Sequence, residues 1–147
     1  VCEGAETYQQ TISKKEKFKF SELQRIDEAI AISSMSIARN MNIKAIIALT
    51  ESGSTALMMS RIRSDIPIYA FTRNEYTQRR VSLYRGVTSY PYKFIANTFS
   101  EVLSEVSKEL LQSEMVRAGD LVLITSGSPL KVEGFTNSLR IIEIKNG

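Results

Sequence analysis

Three short apolar runs, Ala45–Leu49, Ile66–Phe71 and Leu121–Thr125, alternate with stretches of helical composition, and this alternation constrains the fold more than any other feature. Each run has the length of a strand, and two are flanked by glycine. Between them, Thr55–Arg63 and Glu75–Leu83 have helical composition, and Phe99–Leu111 repeats apolar residues at Phe99, Leu103, Val106 and Leu110. Strand, helix, strand, helix predicts buried parallel strands. Arg85–Thr88 is a candidate short fourth strand. Leu139–Ile144 (LRIIEI) reads as a final strand, and its connection from Leu121–Thr125 holds no helical segment long enough for a crossover. It is therefore expected to lie antiparallel to its neighbour. The predicted class is α/β, with a mixed sheet of about five strands between helix layers.

Earlier in the chain, Ser21-Glu22-Leu23-Gln24 has the pattern of a helix N-terminus, and Ile26, Ile30, Ser33 or Ser34, Ile37 and Met41 recur at helical spacing. A helix from about Ser21 to Met41 is expected. Val1–Tyr8 resembles the end of a helix, and Gln9–Phe20, polar and with four lysines, suits an exposed linker. The expected organisation is a tail and linker over 1–20 and one domain over 21–147.

Composition narrows the chemistry. A chain of 147 residues with 43% hydrophobic and 24% charged residues has the balance of one globular domain. It contains no histidine, which removes histidine-based triads, phosphohistidine relays and most zinc sites. The single Cys2 forms no internal disulfide and has no local reason to be activated, so a reducing cytoplasm is expected. The longest unbroken apolar runs are about five residues against the roughly 20 needed to cross a bilayer, so no membrane partner is expected. Six arginines between Arg61 and Arg85 (Arg61, Arg63, Arg73, Arg79, Arg80, Arg85), against Asp65 and Glu75, make that stretch locally +4 within a net charge of +3. They lack the interleaved aromatics of a single-strand platform, so the reading for most of them is solvated helix surface plus subunit or domain salt bridges, not nucleic-acid binding.

Two loops carry the chemistry. Leu49-Thr50-Glu51-Ser52-Gly53-Ser54-Thr55 sits where a strand hands over to a helix and packs four hydroxyls around one glycine. Glycine admits close approach to the backbone, N–H groups at a helix N-terminus face an anion, and hydroxyls donate to its oxygens. The competing reading is a plain Ser/Thr cap. The second loop, Thr125 to Asn137, includes Ser126, Gly127, Lys131 and Gly134, with Lys131 as a candidate cation. The competing reading there is an ordinary connection before an edge strand. If both preceding strands are parallel, the two loops share the edge where open α/β sheets bind ligands. Seven glycines form no G-x-G pair, so neither a dinucleotide fingerprint nor a Walker A loop is present. No carboxylate cluster has metal-ligand spacing, and no catalytic constellation is visible.

Taken together, Thr50–Arg61 (TESGSTALMMSR), Pro67–Arg73 (PIYAFTR), Leu83–Thr88 (LYRGVT), Gly119–Thr125 (GDLVLIT) and Gly134–Asn137 (GFTN) resemble the C-terminal domain of pyruvate kinase, bacterial type. The likeness covers about Ser21 to Ile144. It implies a three-layer α/β/α domain with a mixed five-stranded sheet whose last strand is antiparallel. It also implies that catalysis, phosphoryl transfer from phosphoenolpyruvate to ADP with Mg²⁺ and K⁺, belongs to a barrel domain, of which Val1–Glu6 resembles the last helix. No catalytic or metal-binding residue is then expected here.

By this resemblance Thr50, Ser52, Gly53, Ser54 and Thr55 hold an effector phosphate, and the loop bearing Ser126, Gly127, Lys131 and Gly134 closes over a sugar. The expected partners are the barrel domain of the same chain, a phosphorylated effector and further copies in a tetramer, through the helix of residues 25–40 and the strand of residues 139–144. Ser54 stands where many relatives carry Arg, and Glu51 sets a negative charge beside the anion, which favours a sugar or nucleoside monophosphate over a bisphosphate. Two alternatives are an interaction domain without a ligand and an independent phosphosugar enzyme.

Overall fold

The computed structural model describes residues 25–62, 64–93, 95–127 and 136–146. The tail, linker and boundary expected before residue 21, and the capping pattern at 21–24, lie outside these residues. The elements are α1 (Ile26–Asn40), β1 (Ile43–Leu49), α2 (Ser54–Arg61), β2 (Ile68–Thr72), α3 (Glu75–Val81), β3 (Val87–Pro91), α4 (Phe99–Gln112), β4 (Leu121–Ser126) and β5 (Ser138–Glu143).

One sheet runs in the order β3-β2-β1-β4-β5. β1 pairs in parallel with β2 and with β4, β2 pairs in parallel with β3, and β5 runs antiparallel to β4, as expected from the sequence of their connection. From β1 the chain steps outward through α2 to β2 and through α3 to β3. It then returns over α4 to β4 on the other side of β1. That return gives the sheet two helix layers.

Each layer has its own core. On one face, Ala31, Met35 and Ala38 of α1, Ala56 and Met59 of α2 and Val81 of α3 pack on Ile43, Ile46, Ala48, Ile68, Ala70, Val87 and Leu123. On the other, Val102, Val106 and Leu110 of α4 pack on Ala45, Ile47, Leu49, Phe71, Val122 and Ile124. The central strands β1 and β4 are thus buried on both sides, which is why they read as continuous apolar runs without alternation. Towards β3 the second face is finished by aromatic rings, with Phe71 stacked on Tyr90 at 5.5 Å and Tyr69 edge-on to Tyr90 at 5.8 Å. Burial, with Tyr90 beside it, pushes the Tyr69 hydroxyl above the usual tyrosine range.

α1 departs from the sequence reading in two ways. It starts at Ile26, with Arg25 extended (φ −116°, ψ 134°) and no side-chain cap, so it does not run back to Ser21. Its buried face is also not the stripe of large residues. Asp27, Ala31, Ser34, Met35 and Ala38 turn inward, whereas Ile26 is 64% and Met41 41% exposed and Ile30 and Ile37 are only half-buried. Small residues let α1 approach α2 and the sheet closely, and the bulky flank is left outside. At its first turn the Asp27 carboxylate, 1% exposed, is held by a two-point contact from Arg25 (3.0 and 2.6 Å) and accepts the Glu28 N–H at 3.0 Å.

α4 has well-made ends. Thr98 Oγ1 accepts the Glu101 N–H at 3.2 Å and the Glu101 carboxylate accepts the Thr98 N–H at 3.4 Å, a capping box. At the other end, Met115 N–H reaches the Leu110 carbonyl (3.0 Å) and Glu114 N–H the Leu111 carbonyl (3.1 Å), with Glu114 left-handed at φ 58°. This closing turn favours glycine at the left-handed position. Glu114→Gly is expected to stabilise the domain by about 0.5–1 kcal/mol, since relief of left-handed strain exceeds the added chain entropy. Urea unfolding midpoints of the two proteins check this; a lower midpoint for the variant contradicts it.

Candidate functional site

β1 and β4 lie side by side and parallel, and the chain reaches them through helices on opposite faces, α2 leaving β1 and α4 leading into β4. Their carboxyl ends therefore flank the switch point of the sheet, where open α/β folds form a crevice. The loop after β1 and the end of β4 meet at this edge. Thr55, in the first turn of α2, and Thr136, on the approach to β5, share a buried hydroxyl–hydroxyl hydrogen bond of 2.7 Å across 81 positions of sequence. This contact joins the two segments that the sequence singled out separately.

Thr50 fixes the start of the first loop. Its N–H donates to the Phe71 carbonyl (3.0 Å), which ties it to β2, and its hydroxyl accepts the Gly53 N–H (2.9 Å). Ser52 Oγ accepts the Ser54 N–H at 3.3 Å and donates to Ser54 Oγ at 3.1 Å. Gly53 is the N-cap of α2 at φ 80°, ψ 2°, and so makes no side-chain cap bond of its own. The serine hydroxyl that reaches a helix-start amide is thus Ser52 Oγ, from the position before the cap. A left-handed backbone at the cap selects glycine, and the serine hydroxyls turn to each other across it. The first amide donors of α2 face the same edge as Ser52 and Ser54.

The loop is held from behind by α3. Thr77 Oγ1 donates to the Glu51 carbonyl (2.8 Å) and the Arg80 guanidinium donates to the Ser52 carbonyl. α3 is itself set by Asn74, whose side chain accepts the Thr77 N–H (3.2 Å), and by Gln78 Nε2, which donates to the Thr72 carbonyl (3.1 Å). With two loop carbonyls turned to α3, Ser52 is left exposed and Ser54 half-buried. Arg80 also lies over the Tyr76 ring at 5.8 Å and brings a cation to a loop that already carries the exposed Glu51.

In the second segment, Ser126 is buried and its hydroxyl bonds Ser138 Oγ at 3.0 Å. The Ser126 carbonyl accepts both Ser138 Oγ and the Asn137 N–H at 3.1 Å. Ser126 thus fastens β5 to β4, and Gly127 is half-buried beside it. Lys131 and Gly134 lie outside the described residues.

Sequence reasoning missed Thr77, Arg80 and Thr136. The signal for Arg80 was present in the basic stretch, which was read as solvated surface and salt bridges. Among the described residues none of its arginines forms an ion pair within 4 Å inside this chain; Arg73 lies 4.6 Å over Tyr92 and Arg80 serves the loop. Thr77 left no local trace, and Thr136, although inside the second loop, carried no sign of its pairing with Thr55, because their partners are distant in sequence. Among the described residues no three carboxylate or thiol groups come together to hold a metal ion, and no helix is long and apolar enough to cross a membrane.

Gly53 is the tightest point of this assembly. A Cβ there would meet Val81 Cγ1 at 2.7 Å and Thr77 Cγ2 at 3.3 Å, and Val81 is fully buried. Gly53→Ala adds left-handed strain to overpacking and is expected to cost about 2–4 kcal/mol. Measured by urea unfolding in a Val81→Ala background, which removes the clashing methyl and carries its own cavity cost, Gly53→Ala should cost only the left-handed strain; no cost in that background would show that the backbone conformation carries none.

Comparison with known proteins agrees with this arrangement. Residues 28–142, from α1 to β5, match the family model for the pyruvate kinase alpha/beta domain. The chain is 38% identical over 147 residues to pyruvate kinase II of Salmonella typhimurium, covering 99% of this chain and 30% of that protein. It is 38% identical over 145 residues to a pyruvate kinase of Buchnera aphidicola, with 98% and 30% covered. Among solved structures it resembles a pyruvate kinase from Cryptosporidium parvum, with a TM-score of 0.71, 27% identity and coverage of 83% of this chain and 23% of that one. It thus spans about 30% of the length of these two curated relatives. With the match extending over every element of the sheet, the chain belongs to the pyruvate kinase family and comprises its alpha/beta domain.

Proposed function

We propose that the chain is the regulatory and oligomerising part of a cytoplasmic pyruvate kinase, the glycolytic enzyme that transfers a phosphoryl group from phosphoenolpyruvate to ADP. Catalysis, with its Mg²⁺ and K⁺, is assigned to a barrel domain of the same polypeptide. The residues described here serve regulation: a sugar or nucleoside monophosphate lies at the switch point, its phosphate on Thr50, Ser52, Gly53, Ser54 and Thr55. Ser126, Gly127, Lys131 and Gly134 belong to the loop that covers the rest of the ligand.

What carries this reading is the meeting of the two loops at the carboxyl ends of β1 and β4, joined by Thr55 and Thr136. Support also comes from the Ser52 and Ser54 hydroxyls at the open side of α2 and from Arg80 on the loop carbonyl. For activation, the effector must bind more tightly to the arrangement in which the enzyme has higher substrate affinity. The tetramer contact is assigned to α1, whose large apolar flank at Ile26, Ile30, Ile37 and Met41 stays partly exposed, and to β5, whose outer edge has no strand beside it among the described residues.

A second reading, an interaction domain that binds no effector, is favoured by one observation. The loop satisfies much of its own hydrogen bonding, with Thr50 on Gly53, Ser52 on Ser54 and Thr55 on Thr136. Calorimetric titration of the 147-residue chain with ribose 5-phosphate, glucose 6-phosphate and AMP separates the two. Saturable heat with at least one is expected, and Ser52→Asp, which sets a carboxylate against the dianion, should weaken binding by at least about tenfold. No saturable heat with any of the three supports the interaction domain.

A further inference from the structure

The Thr55–Thr136 pair does more than close the crevice. Both hydroxyls are nearly inaccessible, with Thr55 1% and Thr136 5% exposed, and their oxygens lie 2.7 Å apart. Thr55 is one residue beyond Ser54, at the start of α2. Thr136 is two residues before β5, and the next residue, Asn137, donates to the Ser126 carbonyl at the first rung of the β4–β5 ladder. A short chain of bonds therefore runs from the loop through Thr55 and Thr136 to the edge strand. A buried hydroxyl that loses its partner pays its desolvation in full, so neither threonine shifts independently of the other.

We propose that Thr136 is a positioning residue that couples the β1–α2 loop to β5, so that an anion bound at the loop steadies the edge strand, and pairing of a second strand to β5 in turn favours anion binding. The ligand half of this inference rests on the proposed effector site; the link between loop and strand does not. The two effects are equal by reciprocity of linked equilibria. No contact between ligand and strand is needed, because the hydroxyl pair carries the constraint.

Hydrogen exchange of the 147-residue chain, followed by mass spectrometry over Leu139–Ile142, tests the link without any ligand. Thr55→Val, a change on a different element from β5, leaves the Thr136 hydroxyl unpartnered and should speed exchange of those amides by about tenfold. The double variant Thr55→Val with Thr136→Val removes both polar groups and should return exchange to within about threefold of the parent protein. Unchanged exchange in Thr55→Val, or no recovery in the double variant, overturns the link.

Ribose 5-phosphate is then added. In the parent protein it should slow exchange both at the loop and over Leu139–Ile142. In Thr136→Val, which leaves every residue assigned to the phosphate in place, the loop response should persist and the β5 response vanish, an outcome that a purely stabilising role for the pair does not produce. An equal β5 response in both proteins overturns the coupling. If the parent protein shows no response anywhere, the coupling of ligand to strand is overturned together with the effector reading, and the ligand-free comparison alone decides whether Thr136 links loop and strand.

Discussion

Burial of β1 on both faces is the constraint on which the rest of the domain depends. A parallel strand at the centre of a sheet needs a helix layer above and another below, because each face is apolar and each backbone edge is already paired. Ala45, Ile47 and Leu49 turn to α4, while Ile43, Ile46 and Ala48 turn to α1, α2 and α3. Only a chain that returns across the sheet supplies both layers, and the connection through α4 does so. The same return creates the switch point between β1 and β4. The crevice is thus a consequence of covering the core, and the loops around it are free to carry polar chemistry.

The two helix layers are unequal. Among the described residues three helices cover one face, whereas α4, with the rings of Tyr69, Phe71 and Tyr90, covers the other. Crowding of α1 and α2 on the first face explains why α1 buries alanine and serine and leaves isoleucine outside. An unequal pattern of this kind gives the domain an apolar flank beyond its own core, on the helix that the family resemblance assigns to subunit contact.

At the carboxyl edge, local and long-range interactions divide the work. Gly53 and the serine hydroxyls shape the loop from within, over spacings of two or three residues. α3 fixes its position from behind through Thr77 and Arg80, 26 and 28 residues further along the chain. Thr136 fixes it from the side. The loop is thereby held by three separate elements, with the Thr50 and Thr55 hydroxyls turned inward and Ser52 left exposed.

The amino-acid sequence by itself determined the class of fold, because strand-length apolar runs between helical periods have few ways to hide both faces. It also determined the antiparallel last strand, because too little helical chain separates β5 from β4 for a crossover, and it marked the glycine and hydroxyls of the first loop. Tertiary structure alone decided which side of α1 is buried, since periodicity marks the apolar positions but not how closely a neighbour packs. It alone decided that Gly53 caps α2 in place of a serine, because the choice depends on a left-handed backbone pressed against Val81. And it alone decided that Arg80 and Thr136 serve the loop. Their partners are brought near by the sheet, and hydrogen bonds between distant segments leave no period or spacing in the chain.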